Sequence, residues 1–407
     1  MITRIECENF YSIGKKVSLD FTSSFKKRSN SHYYDSINDM SISMASAVVG
    51  LNASGKTNIL RSIPFFKYLI CETMLTPYSE SRILLYSKYL PMSSLPSYIS
   101  VTLNLDGVLF KHVIRFDNQR ILSEEIYEKI VSAKGRFLWK KICSRSWTGS
   151  KYSYDLPSDW IINIIEFRQD VSMITTIACN PANVKIKSIY DFWHDRIDHN
   201  LASDGMVETP LHAVARKLQA VSKDHELNEK LQQGLKTLNI NYNGIVKIEN
   251  PGTQNSSPDL MLVSHKYGDV TFLTKLKDES SGARKVYDIL PSCIYMLGVG
   301  GVLVLDEFDA FLNPYITNKI IDLFINEETN PLHAQLIFSC HSANIIGSFE
   351  KNRVFLCRNT NGYTEVSRFD DFIGVRGDIS YISKYLAGDK NSAEKIDDLW
   401  TKTKKNI

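Results

Sequence analysis

The sequence predicts a mixed α/β fold that combines a core of buried strands joined by helices with an antiparallel meander. Three observations carry this. Ile42–Val49 is a mostly apolar run that leads straight into the glycine-rich stretch GLNASGKT at 50–57, after which Ile59, Ile63, Phe66 and Ile70 recur at helical spacing. Far downstream, VLVLDE at 302–307 is a second apolar run, and it ends in two carboxylates. Between them lie the short alternating segments Tyr98–Leu105, Val108–Phe116, Ile121–Val131 and Arg136–Cys143, with turn signals at Asp106-Gly107 and Asp117-Asn118.

The other elements follow along the chain. Ile2–Cys7 alternates like a strand, and Val17–Phe21 reads as a second one. Residues 22–43 are rich in Ser, Asn and Lys and read as a surface loop. Residues 76–98 carry Pro77, Pro91 and Pro96 and are also loop-like. Charged, periodic segments at 187–200, 210–222 and 225–238 predict a small helical lobe. Strand patterning returns at 243–277, and helices are expected at about 281–297 and 314–326. Gln335–Phe338 reads as another strand, and the tail as one more strand with a helix near 377–387. The division expected is a discontinuous core from 1–75 and 260–407, an antiparallel β subdomain over 76–160, and an inserted helical lobe over 161–259.

Bulk properties exclude several classes. The 407 residues suit two or three domain-sized units, and 43% hydrophobic with 23% charged residues is ordinary for a globular chain. A net charge of +3 gives no global nucleic-acid signature. The seven cysteines form no CxxC pair and read as thiols in a reducing compartment. There is no leader-like N-terminus and no apolar run approaching membrane-spanning length, so a cytoplasmic location without membrane partners is expected.

Four motifs carry chemistry. Residues 50–57 match the P-loop pattern GxxxxGK[ST]. Glycines let backbone N–H groups curl around phosphate oxygens, and the following helix turns its positive end to the same place. Lys56 supplies charge for the β and γ phosphates, and Thr57 a hydroxyl for Mg²⁺. Asp306 would hold that metal through water, and Glu307 would orient and deprotonate an attacking water. His341, at the end of the strand in LIFSCHS, could hydrogen-bond a γ phosphate and sense its loss; alone, a strand-end histidine is more often a satisfied polar group. Glu279-Ser280-Ser281-Gly282 precedes a helix whose apolar face includes Val286, Ile289, Leu290 and Cys293. Ser280 reads as its N-cap, and the same N-terminus can receive a phosphate.

The order of these four elements resembles the ABC ATPases, in the split form of SMC and RecF heads. It is most similar to the compact OLD- and RloA-type bacterial ATPases of phage defence, as in abortive-infection, PARIS or Septu systems. The residues behind this are Asn9-Phe10-Tyr11-Ser12, NASGKTN at 52–58, Glu279–Gly282, DEFDAFLNP at 306–314 and VRGDISYISKYLAGD at 375–389. At Asn313 many relatives have His or Asp. The resemblance implies two heads pairing head to tail around two ATP molecules. Gly50, Asn52, Ser54, Gly55, Lys56, Thr57 and Asn58 would bind ATP in cis. Ser280, Ser281 and Gly282 would clamp the partner's γ phosphate in trans. Thr57 and Asp306 would hold Mg²⁺, Glu307 and His341 would serve hydrolysis, and Asp309 would lie in a loop crossing the dimer. A Q-loop glutamine is also implied, with Gln119 and Gln169 as candidates.

Two further features bear on function. The stretch after His341 is too short for the TOPRIM nuclease of OLD proteins, so the implied effector is a separate protein such as a TOPRIM or HNH nuclease, with nucleic acid or a phage protein as trigger. Asn318-Lys319 opens like the NKxD base-reading motif, but Ile321 stands at the aspartate position, so ATP is expected over GTP. The rival reading is a RecF-like clamp on DNA, using Lys134, Arg136, Lys140, Lys141 and Arg145 interleaved with Trp139 and Trp147, with Lys185 and Lys187 beside them.

Overall fold

The computed structural model describes residues 1–23, 33–36, 40–75, 88–132, 135–157, 168–178, 183–201, 211–238, 240, 242–248 and 260–371. Two large sheets organise them. The first is wholly antiparallel and holds β1 (Ile2–Glu8), β2 (Val17–Asp20), β7 (Ser97–Leu105), β8 (Val108–Phe116), β9 (Ile121–Val131), β10 (Phe137–Trp147) and β11 (Tyr152–Asp155), in the order β11-β10-β9-β8-β7-β1-β2. The meander is thus as expected, but the N-terminal strands pair with it and not with the P-loop strand.

The second sheet has the order β12-β16-β17-β6-β18-β19 and consists of β12 (Ile197–Asn200), β16 (Val302–Leu305), β17 (Gln335–Ser339), β6 (Ala45–Val49), β18 (Val354–Thr360) and β19 (Tyr363–Arg368). It is parallel from β12 to β18 and closes with a hairpin. Period-two alternation sends Val48, Val302, Val304 and Ile337 into the core shared with the antiparallel sheet. Their neighbours Ala47, Val49, Leu303, Leu305, Leu336 and Phe338 enter a second core on the opposite face. Burial on both faces is why these strands read as unbroken apolar runs.

Helix α1 (Lys56–Lys67) lies between the two sheets, burying Ile59, Leu60, Ile63 and Phe66. It shares that core with α2 (Met173–Ile177) and α3 (Val184–Asp195). On the far face α4 (Leu211–Ser222), α5 (His225–Thr237), α6 (Ser281–Val299), α7 (Pro314–Ile325) and α8 (Ala343–Ser348) pack over the parallel sheet. Gly234 of α5 lets that helix approach α6 closely, since a Cβ there would stand 3.2 Å from Leu290.

Three local expectations change. Ile42–Val49 is two strands, because the chain turns at Met44: Met40–Ser43 (β5) pairs with β3 (Thr22–Ser23) and β4 (Tyr33–Ser36), and β6 enters the parallel sheet. Side-chain bonds fix that turn, with Ser43 Oγ donating to Ala45 O at 2.7 Å and Gln335 Nε2 to Ser43 O at 3.1 Å. The stretch 22–43, expected as a loop, therefore contributes a three-stranded sheet. Residues 197–200, expected to be helical, form β12 beside β16; one apolar residue, Ile197, in so short a strand leaves no periodic signal. A second small sheet joins β13 (Gly244–Ile248), β14 (Leu260–Tyr267) and β15 (Val270–Lys275). The expected helix near 377–387 and the stretch 375–389 lie outside the described residues. Among the described residues no helix is long and apolar enough to cross a membrane.

Candidate nucleotide-binding site

The P-loop springs from the C-terminal end of β6. Gly50 passes so close to the Cys357 carbonyl and to Ser54 Oγ that no Cβ fits, and Gly55 turns at φ 97° with Thr364 packed where its Cβ would be. Lys56 opens α1, is buried, and donates to the carbonyls of Gly50 and Leu51, each at 3.0 Å. Burial pulls its pKa down, while Cys357, Asp306 and Glu307 act the other way. Ser54 Oγ is buried with no hydrogen-bond partner among the described residues. A cradle that excludes side chains, a desolvated ammonium and an orphan hydroxyl together fit a polyphosphate.

Thr57 and Asp306 are 249 positions apart in sequence, yet Thr57 Oγ1 donates to Asp306 Oδ2 at 2.6 Å. Asp306 is buried, and its Oδ1 accepts a bond from Ser339 Oγ. A hydroxyl beside a carboxylate is the hard-oxygen pair that Mg²⁺ takes when phosphates and waters complete its shell. Among the described residues no group of three or more His, Cys, Asp or Glu could hold a metal without such help.

Glu307 has φ 46°, a conformation that costs a residue with a side chain about 1–3 kcal/mol. It is held there by its N–H on Ser339 Oγ at 2.8 Å, and its side chain is exposed rather than spent on an ion pair. His341 is exposed too. Its N–H and that of Ser342 donate to a single oxygen of Asp309, at 2.9 and 2.7 Å, so Asp309 fixes the turn that presents the histidine.

Glu279 accepts bonds from His265 Nε2 at 2.9 Å and from Thr274 Oγ1. Ser280 caps α6 by accepting from Ala283 N at 3.1 Å, and Ser280 and Ser281 are exposed. Gly282 lies against the loop after β16, where a Cβ would stand 3.1 Å from Phe311 O. None of the hydrogen bonds of Glu279–Gly282 reaches the P-loop of the same chain. Asn313 caps α7 through Tyr315 N at 2.9 Å.

Other residues acquire roles that the sequence did not disclose. Ser12 Oγ accepts from Asn58 Nδ2 and bonds Thr364 Oγ1, both at 2.7 Å, and Thr364 Oγ1 also donates to Ser54 O at 3.1 Å. These contacts pin the P-loop between the N-terminal turn and the β18–β19 hairpin. Ser12 had a signal in Asn9–Ser12; Thr364 had none. Gln119 lies in an exposed turn, and Gln169 accepts from Ile121 N through its backbone carbonyl, so neither glutamine is placed at the P-loop by these bonds.

The basic patch loses one member to the core, and three of its exposed lysines have carboxylate neighbours. Arg145 is fully buried and paired with Glu124 at 3.0 Å, so it is not a surface cation. Lys141 pairs with Asp155, Lys185 with Glu128 and Lys187 with Asp191, at 3.2, 2.7 and 2.8 Å. Arg136 and Lys140 are exposed, and Lys134 lies outside the described residues.

Among solved structures the chain is similar to an Smc head bound to the C-winged helix domain of ScpA, with TM-score 0.40, 15% identity, and 90% of this chain and 96% of that chain covered. It is likewise similar to the Smc head domain with an extended coiled coil bound to the C-terminal domain of ScpA from Pyrococcus furiosus (TM-score 0.37, 15% identity, 90% and 95% covered). A third is the Smc head domain with a coiled coil and joint from Pyrococcus yayanosii (TM-score 0.39, 13% identity, 90% and 97% covered). No curated protein matches the sequence. Residues 45–347, which run from β6 through the histidine turn, match the family described as "AAA domain, putative AbiEii toxin, Type IV TA system", and the chain belongs to that AAA-domain family.

Proposed function

We propose that this protein binds and hydrolyses ATP with Mg²⁺, pairs with a second copy when ATP is bound, and thereby controls a separate effector in antiphage defence. The observation that carries the catalytic part is the meeting of Thr57 and Asp306 beside an exposed carboxylate held at positive φ on Glu307. In this reading Lys56 exchanges its two carbonyl contacts for β and γ phosphate oxygens. A magnesium ion held by Thr57 and Asp306 would neutralise charge on the β and γ phosphates. Glu307 takes a proton from water as the water oxygen bonds to the γ phosphorus, and the bond from that phosphorus to the β–γ bridging oxygen breaks. His341, presented by the turn that Asp309 holds, contacts the γ phosphate and loses that contact on hydrolysis.

Pairing is supported by the exposed Ser280 and Ser281 at the start of α6, whose own bonds do not reach the P-loop of the same chain. The defence role is supported by a family description that names toxin–antitoxin components. The effector reading adds a separately encoded nuclease of TOPRIM or HNH type. DNA clamping is the weaker reading, because Arg145 and three of the lysines that would serve it are already paired.

Phosphate release from ATP by the purified chain tests the catalytic part. Turnover should fall about 10²- to 10⁴-fold in Glu307→Gln. Turnover that survives that substitution removes Glu307 from the mechanism. Purification from the native operon tests the effector, and a chain that protects cells with all its neighbouring genes deleted contradicts it.

A further inference from the structure

We propose that Asp288 is a positioning residue that joins the helix carrying Ser280–Gly282 to the carboxylate pair of the same chain, so that each half of a paired molecule responds to the nucleotide held by the other. The proposal rests on the pairing reading above. Asp288 lies on α6 about two turns beyond Ser280 and is only 3% exposed. A buried carboxylate needs partners. Lys217 of α4 donates to Oδ1 at 3.1 Å, and the side-chain amide of Asn200, at the end of β12, donates to Oδ2. The backbone carbonyl of that same Asn200 accepts from Asp306 N at 2.9 Å. A continuous path of hydrogen bonds therefore runs from α6, through the edge strand, to the backbone of the residue that meets Thr57.

Simple stapling of helices does not require this arrangement. Leu218, Leu235 and Leu290 already pack α4, α5 and α6 together, and a buried ion pair adds little stability beyond such packing. The pair is instead placed where the parallel sheet ends at the site. Lys285, three residues before Asp288 on α6, adds to the electrostatic link: burial lowers its pKa, while Asp288, Asp306 and Glu307 oppose that shift. In a paired molecule Ser280–Gly282 would meet the partner's nucleotide, while Asp306 and Glu307 serve the chain's own. A shift of α6 then moves Asn200 and, with it, Asp306.

The test measures ATP hydrolysis against ATP concentration, and equilibrium binding of ATP, for the full chain and for Asp288→Asn and Asn200→Ala. The second variant removes the Asn200 amide that bonds Asp288 and leaves Lys217 and Asp288 themselves in place. Expected are a Hill coefficient above 1 for the natural sequence, and for both variants a coefficient near 1 with kcat about tenfold lower and affinity for ATP within about twofold. Unchanged cooperativity and kcat in Asn200→Ala would overturn the proposal, as would a loss of ATP binding that accounts for the loss of rate. A natural chain that neither pairs with ATP nor shows cooperativity fails at the pairing reading itself, and the proposal falls with it.

Discussion

Lys56 is buried, and two backbone carbonyls compensate for part of its lost hydration. Such a cation gains from any anion that can reach it. Replacing it with Ala removes the charge and leaves the cradle. We expect Lys56→Ala to weaken ATP binding by roughly a hundredfold, the worth of one or two charge-assisted hydrogen bonds. Equilibrium titration with a fluorescent ATP analogue reads this directly, and an unchanged Kd would remove Lys56 from the site. Glu307 is a complementary case, since it takes a strained backbone and forms no ion pair among the described residues. Strain at an exposed carboxylate beside Asp306 fits the catalytic role proposed for Glu307.

At the scale of elements, a buried charge network ties α2 to the antiparallel sheet. Glu124 of β9 is fully buried and accepts from His112 Nε2 at 2.9 Å, Arg145 Nη2 at 3.0 Å, Met173 N at 2.8 Å and Ser172 Oγ. Burial alone would raise its pKa, but Arg145 and the hydrogen bonds from His112 and Ser172 outweigh it and hold the carboxyl at about 2, against an ordinary value of 4.5. A carboxylate depressed in the folded state stabilises it above the unfolded pKa. That contribution is lost as the pH falls from about 4.5 towards 2. Urea unfolding at pH 6 and pH 3 should therefore show Glu124→Gln clearly less stable than the natural chain at pH 6, by about 3 kcal/mol, with the gap narrowing at pH 3. A gap that does not change with pH would show that folding leaves the Glu124 carboxyl unshifted, and one that widens at pH 3 that it is neutral in the fold. Elements with a strong period were legible in the sequence: β7 to β9, α6, α7, and the strands around the P-loop and the carboxylate pair. The elements that were not legible are fixed by distant partners. β12 exists because β16 offers it an edge, Ser43 and Gln335 break β5 from β6, and Arg145 looked like a surface cation until Glu124 was placed beside it. The candidate site followed the same division. Its P-loop and carboxylates stood out as motifs, whereas Ser12 with Thr364, and Asn200 with Asp288, are joined only by folding.

At the scale of the whole molecule, the exposed start of α6 and the P-loop belong to one chain, but none of the hydrogen bonds of Glu279–Gly282 links them. In the proposed pairing a second copy supplies the missing half, so nucleotide binding and pairing are one event. Free energy of ATP binding then appears as association, and hydrolysis at Glu307 releases it. Blocking hydrolysis while leaving Lys56, Thr57 and Asp306 in place should trap the pair. The most direct measurement is the solution mass of Glu307→Gln by light scattering, with and without ATP and Mg²⁺. The mass should double only when both are present and should stay at that of one chain when Lys56→Ala is added; a mass indifferent to nucleotide would contradict ATP-dependent pairing.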